Sequence, residues 1–147
     1  MKHFVSRLAL ASAMTVAGFA AQAANTDITV ALQLEPPHLD PTSAAAGAID
    51  SVLYSNVFEG LTRFMGDGSV VAGLAESWEI SADGRDYTFK LRSGVMFHDG
   101  TTMDAEDVKF SLDRARGEDS TNAQKALFAG IKSVTAVDAH TVKVSLD

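Results

Sequence analysis

The chain is 147 residues long, with no cysteine and 19 acidic against 12 basic side chains, a formal net charge of −7. Disulfide stapling is thereby excluded, and a surface of that sign does not seek nucleic acid or anionic lipid. Ordinary apolar content, with no repeat, charge block or Gly/Ser linker, predicts one globular unit after the leader.

Residues 1–23 carry a basic start (Lys2, Arg7), an apolar run from Leu8 to Ala21 and small residues at Ala21 and Ala23. That plan predicts a signal peptide cleaved after Ala23. The run is interrupted by Ser12, Thr15 and Gly18 and is shorter than the ~20 residues of a spanning helix, which argues against a permanent anchor. A lipid tether would need a cysteine at the cleavage point, and none is there. The remaining domain, residues 24–147, keeps ten basic and 19 acidic side chains, a charge of −9. The closing TVKVSLD alternates like a strand and stops without a turn or helix signal, so the chain reads as cut short.

Residues 27–34, DITVALQL, place Ile28, Val30, Leu32 and Leu34 at period two and predict a strand that Pro36 and Pro37 terminate. From 48 to 58, Ile49, Val52, Leu53 and Val57 follow helical spacing, with Asn56 on the same stripe and Gly60 as a left-handed cap. A β-rich section follows, in which Trp78 to Ser81 and Tyr87 to Arg92 flank the turn ADGRD as an antiparallel hairpin. Asp104 caps a predicted helix over 105–116, with Glu106 and Asp107 at the positive end of its dipole and Arg114 and Arg116 at the other. A short helix over 122–129 stops at Gly130, and IKSVTAV, DAH and TVKVSL form a second hairpin. The order β, α, ββ, α, α, ββ suggests an α/β lobe whose sheet lacks partners.

The densest group of chemistry-bearing residues is FHDGTTMDAEDVKF, with His98, Asp99, Asp104, Glu106 and Asp107 and nearby Asp113. DGTTMDAED lacks the alternating oxygen ligands of a calcium loop, and His98 has no partner histidine at zinc spacing; His3, His38 and His140 lie in the leader, the first loop and a turn. Cap and dipole account for the three acids of the helix start, and His98 with Asp99 reads as a tight turn. No G-x-S-x-G serine, cysteine nucleophile or phosphate loop is present, so no reaction and no cofactor is proposed. The turn QLEPPHLDP, residues 33–41, is a quieter binding candidate, because prolines leave backbone groups without a sheet partner; as a plain solvated turn it needs no ligand. Asn56 reads as a satisfied buried amide and Trp78 as core.

NVFEGLTRF, then GLAESWEISADGRDYTFKLRSGVMFHDGTTMDAEDVKFSLDRA, then IKSVTAVDAHTVKVSLD together resemble the N-terminal part of the family 5 extracellular solute-binding proteins of ABC importers. The resemblance implies a periplasmic binding protein-like α/β fold of the class II, three-subdomain type, of which 24–147 is the beginning of the first lobe with its β-rich subdomain. It implies a monomeric, non-enzymatic periplasmic receptor that takes a peptide or another small solute (an oligopeptide, opine or nickel complex) and delivers it to an inner-membrane ABC permease. It places Gln33, Leu34, Glu35, Pro36 and His38 at the ligand cleft. A lobe without its opposing lobe is expected not to bind solute tightly. The alternatives are an exported hydrolase, or a non-transport binding or structural module, whose active part lies in a C-terminal region beyond this chain.

Overall fold

The computed structural model describes residues 29–43, 47–54 and 56–147. Contacts divide the chain into the units Met1–Ala31 and Leu32–Asp147. Residues 1–23, read as a signal peptide, lie outside the described residues, and those of the first unit that are described, 29–31, carry no regular structure. Among the described residues, no helix is long and apolar enough to cross a membrane.

The second unit is built on a four-stranded antiparallel sheet of order β3-β4-β6-β5, with β3 at Ala75–Ile80, β4 at Asp86–Leu91, β5 at Ile131–Asp138 and β6 at Thr141–Leu146. Two hairpins supply it, as the alternation of YTFKLR and TVKVSL predicts, and β4 joins them by pairing Tyr87 with Val144 and Phe89 with Val142. Side chains alternate across a strand, so this register sorts the faces. One face carries Glu79, Thr88, Lys143 and Thr135 in successive strands; the other carries Trp78, Phe89, Val142 and Ala136.

Helix α2, Ala105–Arg116, packs on β5 and β6 and closes the apolar face there. Ala105 and Val108 join Ala75, Leu91, Met103, Val134, Val142 and Val144 in the core. Asp104 caps α2 as expected: its Oδ1 accepts from the N–H of Glu106 at 2.8 Å, while Asp107 Oδ2 accepts from the N–H of Asp104 at 2.9 Å. This reciprocal box satisfies donors that a helix start otherwise leaves free. At the far end, Asp113 sits between Lys109 at 2.7 Å and Arg116 at 2.8 Å, and Arg116 Nη1 donates to the Ile131 carbonyl of the edge strand at 3.2 Å.

Four expectations from sequence need correction. Residues 29–34 form no strand, and Val30 and Leu34 are 68% and 72% exposed. A strand needs a neighbour's N–H and C=O groups as well as an alternating pattern, and among the described residues no strand lies beside this one. Helix α1, Gly47–Leu53, is shorter than the predicted 48–58. Its end is drawn in by Leu53, whose carbonyl accepts the N–H groups of Asn56, Val57 and Phe58 at 3.3, 3.0 and 3.0 Å. Gly60 is not left-handed; a Cβ there would lie 2.9 Å from the Thr62 carbonyl oxygen, so close backbone approach accounts for the glycine. The short helix is a 3-10 turn, Lys125–Phe128. A small hairpin of β1, Thr62–Phe64, and β2, Val70–Ala72, was not singled out from the sequence.

Candidate functional site

Three turns share one device. In Asp67-Gly68-Ser69, Asp83-Gly84-Arg85 and Asp99-Gly100-Thr101 an aspartate Oδ1 accepts the N–H two residues on, at 2.9, 3.2 and 2.9 Å. The glycines have φ of 86°, 73° and 86°, a region that side chains avoid. In two of them the bonding matches throughout: the N–H of Met65 donates to the Ser69 carbonyl and that of Phe97 to the Thr101 carbonyl, both at 2.8 Å. His98 occupies the place that Gly66 holds in the sister turn. The turn therefore does not need its histidine, and the histidine is exposed and, among the described residues, joins no metal-like group.

The aspartates of that stretch, and Asp113 beyond it, are held by local bonds. The Thr101 backbone N–H and then its hydroxyl hold the Asp99 carboxyl below the usual range. Lys109 and then Arg116 do the same for Asp113, against opposing desolvation, and Asp113 in turn raises Lys109. Among the described residues, no three His, Cys, Asp or Glu side chains converge as a metal site would require.

The turn at residues 33–41 is arranged differently. Gln33, Leu34, Glu35 and His38 are exposed and Pro36 is half-buried, and among the described residues Gln33, Leu34 and Glu35 make no hydrogen bond. Order begins at His38: its Nδ1 accepts from the Asp40 N–H at 3.2 Å and its Nε2 lies 3.3 Å from Ser43 Oγ. Asp40 Oδ1 accepts from both the N–H and the hydroxyl of Thr42, at 2.8 and 2.7 Å. Those two bonds, the hydroxyl first, lower the Asp40 pKa. Gln33, Leu34, Glu35 and Pro36 thus lie in an irregular stretch that bends at Gln33 and Leu34, and His38 stands at the start of the braced turn.

Beyond the turn, a concavity of about 670 Å³ runs between Asp40, Pro41 and Thr42, the Phe58-Glu59 stretch and the last turns of α2 with the loop to Asn122. The loop is held by its own side chains: Ser120 Oγ donates to the Ala115 carbonyl at 2.9 Å, and Asn122 Oδ1 accepts from the Gln124 N–H at 2.9 Å. Sequence reading did not connect GEDSTN with the first turn, because only the folded chain brings residues some eighty positions apart together. Asn56 is exposed rather than buried, with Nδ2 donating to the Val52 carbonyl at 3.1 Å. Trp78, expected in the core, is half-buried and is not part of the core cluster; it tilts against Phe89 with ring centroids 6.5 Å apart on the surface of the sheet.

With this arrangement in view, residues 69–147 match the family model described as bacterial extracellular solute-binding proteins, family 5 Middle. The glutathione-binding protein GsiB of Pectobacterium atrosepticum is 38% identical over 120 residues, covering 82% of this chain and 23% of that relative. The periplasmic murein peptide-binding protein MppA of Escherichia coli is 32% identical over 160 residues, covering 97% of this chain and 29% of MppA. Among solved structures, NikZ from Campylobacter jejuni in complex with Ni(L-His) superposes with a TM-score of 0.67 at 35% identity, covering 77% of this chain and 22% of NikZ. The chain belongs to the family 5 bacterial extracellular solute-binding proteins, and its fold is part of their α/β fold. It spans about a quarter of the length of the curated relatives it matches.

Proposed function

We propose that the chain supplies one wall of the solute cleft of a periplasmic receptor that hands peptides or peptide-like solutes to an ABC importer. The observation that carries this reading is the family match over 69–147, extended by relatives that align over most of the chain. Those relatives are named for binding glutathione and murein peptides, both peptide-like, which favours that class of solute here. Gln33, Leu34, Glu35, Pro36 and His38 are the proposed contacts. An exposed backbone that makes no hydrogen bond to the described residues can recognise a peptide through main-chain hydrogen bonds that every peptide can make, which tolerates many sequences. The role is binding and not catalysis, and the site is periplasmic, reached through the leader at 1–23. A single wall leaves most of a ligand's surface in water, so tight capture needs an opposing wall that closes on it.

A chimera tests the proposal: residues 24–147 replace the matched part of MppA, and melting is followed with glutathione, a murein tripeptide, a nonapeptide and Ni(L-His). Binding to the folded state raises the melting temperature. At least one peptide-like solute is expected to do so, and Gln33→Ala with Glu35→Ala to reduce the shift. A folded chimera that responds to none of the peptide-like probes overturns the reading. So does tight binding of solute by the chain alone, as far as the need for a second wall is concerned.

A further inference from the structure

Asp67-Gly68, Asp83-Gly84 and Asp99-Gly100 are the three Asp-Gly steps of the sequence, and all six residues are exposed. An Asp-Gly step has a chemistry of its own. The glycine nitrogen can attack the aspartate Cγ: a C–N bond forms, a C–O bond of the protonated carboxyl breaks, and the nitrogen's proton leaves with the hydroxyl as water. Water then opens the five-membered imide at either carbonyl, restoring aspartate or leaving an isoaspartyl link, in which the main chain runs through the side-chain carbon. Glycine favours the ring because it has no Cβ to crowd it. Even a Cβ at these three positions would meet no atom within 4 Å, so the surroundings leave room.

The folded turns withhold what the reaction needs. Each glycine N–H is engaged, donating to the Met65, Ser81 and Phe97 carbonyls at 3.0, 2.9 and 3.0 Å. Each carboxylate is engaged as well. Besides the N–H two residues on, its Oδ1 accepts from a hydroxyl: Ser69 at 2.7 Å for Asp67, Ser81 at 2.5 Å for Asp83 and Thr101 at 2.7 Å for Asp99. Such bonds favour the ionised carboxyl, which has no hydroxyl to lose. The Ser69 hydroxyl acts first on Asp67, the Ser81 hydroxyl on Asp83 and the Thr101 N–H on Asp99, and all three carboxyls are held below the usual range.

We propose that Asp67, Asp83 and Asp99 are the chain's sites of spontaneous isoaspartate formation, and that the hydrogen bonds of the folded turns restrain it, so that modification follows local opening of a turn. An isoaspartyl link lengthens the main chain by one carbon, so the Met65–Ser69 and Phe97–Thr101 backbone bonds cannot be rebuilt in register across it. A turn once modified stays open. This chemistry is independent of the solute site.

The test ages the full chain in buffer, where circular dichroism verifies the fold, and in urea. Isoaspartate is counted by enzymatic methylation of the isoaspartyl carboxyl and located by mass-spectrometric peptide mapping. Urea is expected to raise the rate at all three steps by about tenfold or more, since several hydrogen bonds are lost together. Thr101→Val removes one hydroxyl bond and is expected to raise the rate in buffer at Asp99 by about threefold, leaving Asp67 and Asp83 unchanged. Thr101→Ser, which keeps the hydroxyl, should restore the parent rate. Asp138 is the control: its Oδ1 accepts the His140 N–H at 2.8 Å in the same manner, but Ala139 follows it, so it should form little isoaspartate in either condition. Equal rates in buffer and urea overturn the inference, as does a Thr101→Val variant that leaves Asp99 unchanged, or isoaspartate that gathers at Asp138 rather than at the Asp-Gly steps. If the chain alone is unfolded in buffer, the MppA chimera supplies the folded arm of the comparison and the same outcomes decide.

Discussion

Residues 29–60 and residues 75–146 show opposite relations between pattern and structure. Both have clear apolar periodicity, at period two in DITVALQL and YTFKLR alike. In the second region every strand finds its partner within reach: β4 lies between β3 and β6, and α2 covers the apolar face. In the first, Val30, Leu32 and Leu34 alternate but remain exposed, and α1 stops after seven residues. Periodicity states which face a segment offers; burial depends on whether a second surface is present to receive it. The stretch with unmet pairing is also the stretch proposed to meet solute.

The largest test of that contrast is a pair of leucines. Leu91 is buried in the core, and Leu91→Ala should cost about 2–5 kcal/mol, read as a lower urea midpoint by Trp78 fluorescence. Leu34→Ala at an exposed position should move the midpoint little; an equal loss would show that the first region is packed after all. Next comes Gly100→Ala. A Cβ there meets no neighbouring atom, so its cost is the left-handed backbone alone, about 1–2 kcal/mol. The same change at Gly68 in the sister turn should cost a similar amount, whereas Gly47→Ala in α1 should be neutral or stabilising.

Asp104→Ala removes the α2 cap and should cost about 1 kcal/mol, with Asp104→Asn recovering most of it. The smallest effect belongs to Asp113→Asn, about 0.5 kcal/mol after allowing for solvent screening of a half-exposed pair. Folding lowers the Asp113 pKa, chiefly through Lys109, so its contribution is present above the unfolded value of ~3.9 and is lost as pH falls through the folded one. The difference in urea midpoint between the parent and Asp113→Asn should therefore shrink on acidification below about pH 4. A difference that persists at low pH would mean that Asp113 matters through shape rather than charge.

Legibility followed the range of the forces involved. The cap of α2 needs only Asp104 and the next three residues, and the observed helix, Ala105–Arg116, has the bounds that those residues predict. Both long hairpins follow from strand alternation and a short turn between neighbours. The β1–β2 hairpin was missed because each strand has three residues, although Asp67-Gly68-Ser69 repeats the turn chemistry that ADGRD announces. Gly60 was misassigned because its constraint comes from Thr62 in a folded-back chain, not from the helix before it.

By itself, the sequence determined the local devices and the family: capping box, Asp-Gly turns, hairpin alternation and the ordered motifs that the family model matches. FHDGTTMDAEDVKF was most informative as an identifier, and its aspartates, Asp99, Asp104 and Asp107, accept hydrogen bonds from atoms two or three residues away. The tertiary structure alone decided which periodic faces are buried, that Arg116 reaches the edge of β5, and that the loop after α2 stands beside Asp40 and Thr42. The physical reason is distance along the chain. A hydrogen bond between near neighbours is written in a short motif, whereas burial and a cleft wall arise only where remote segments meet.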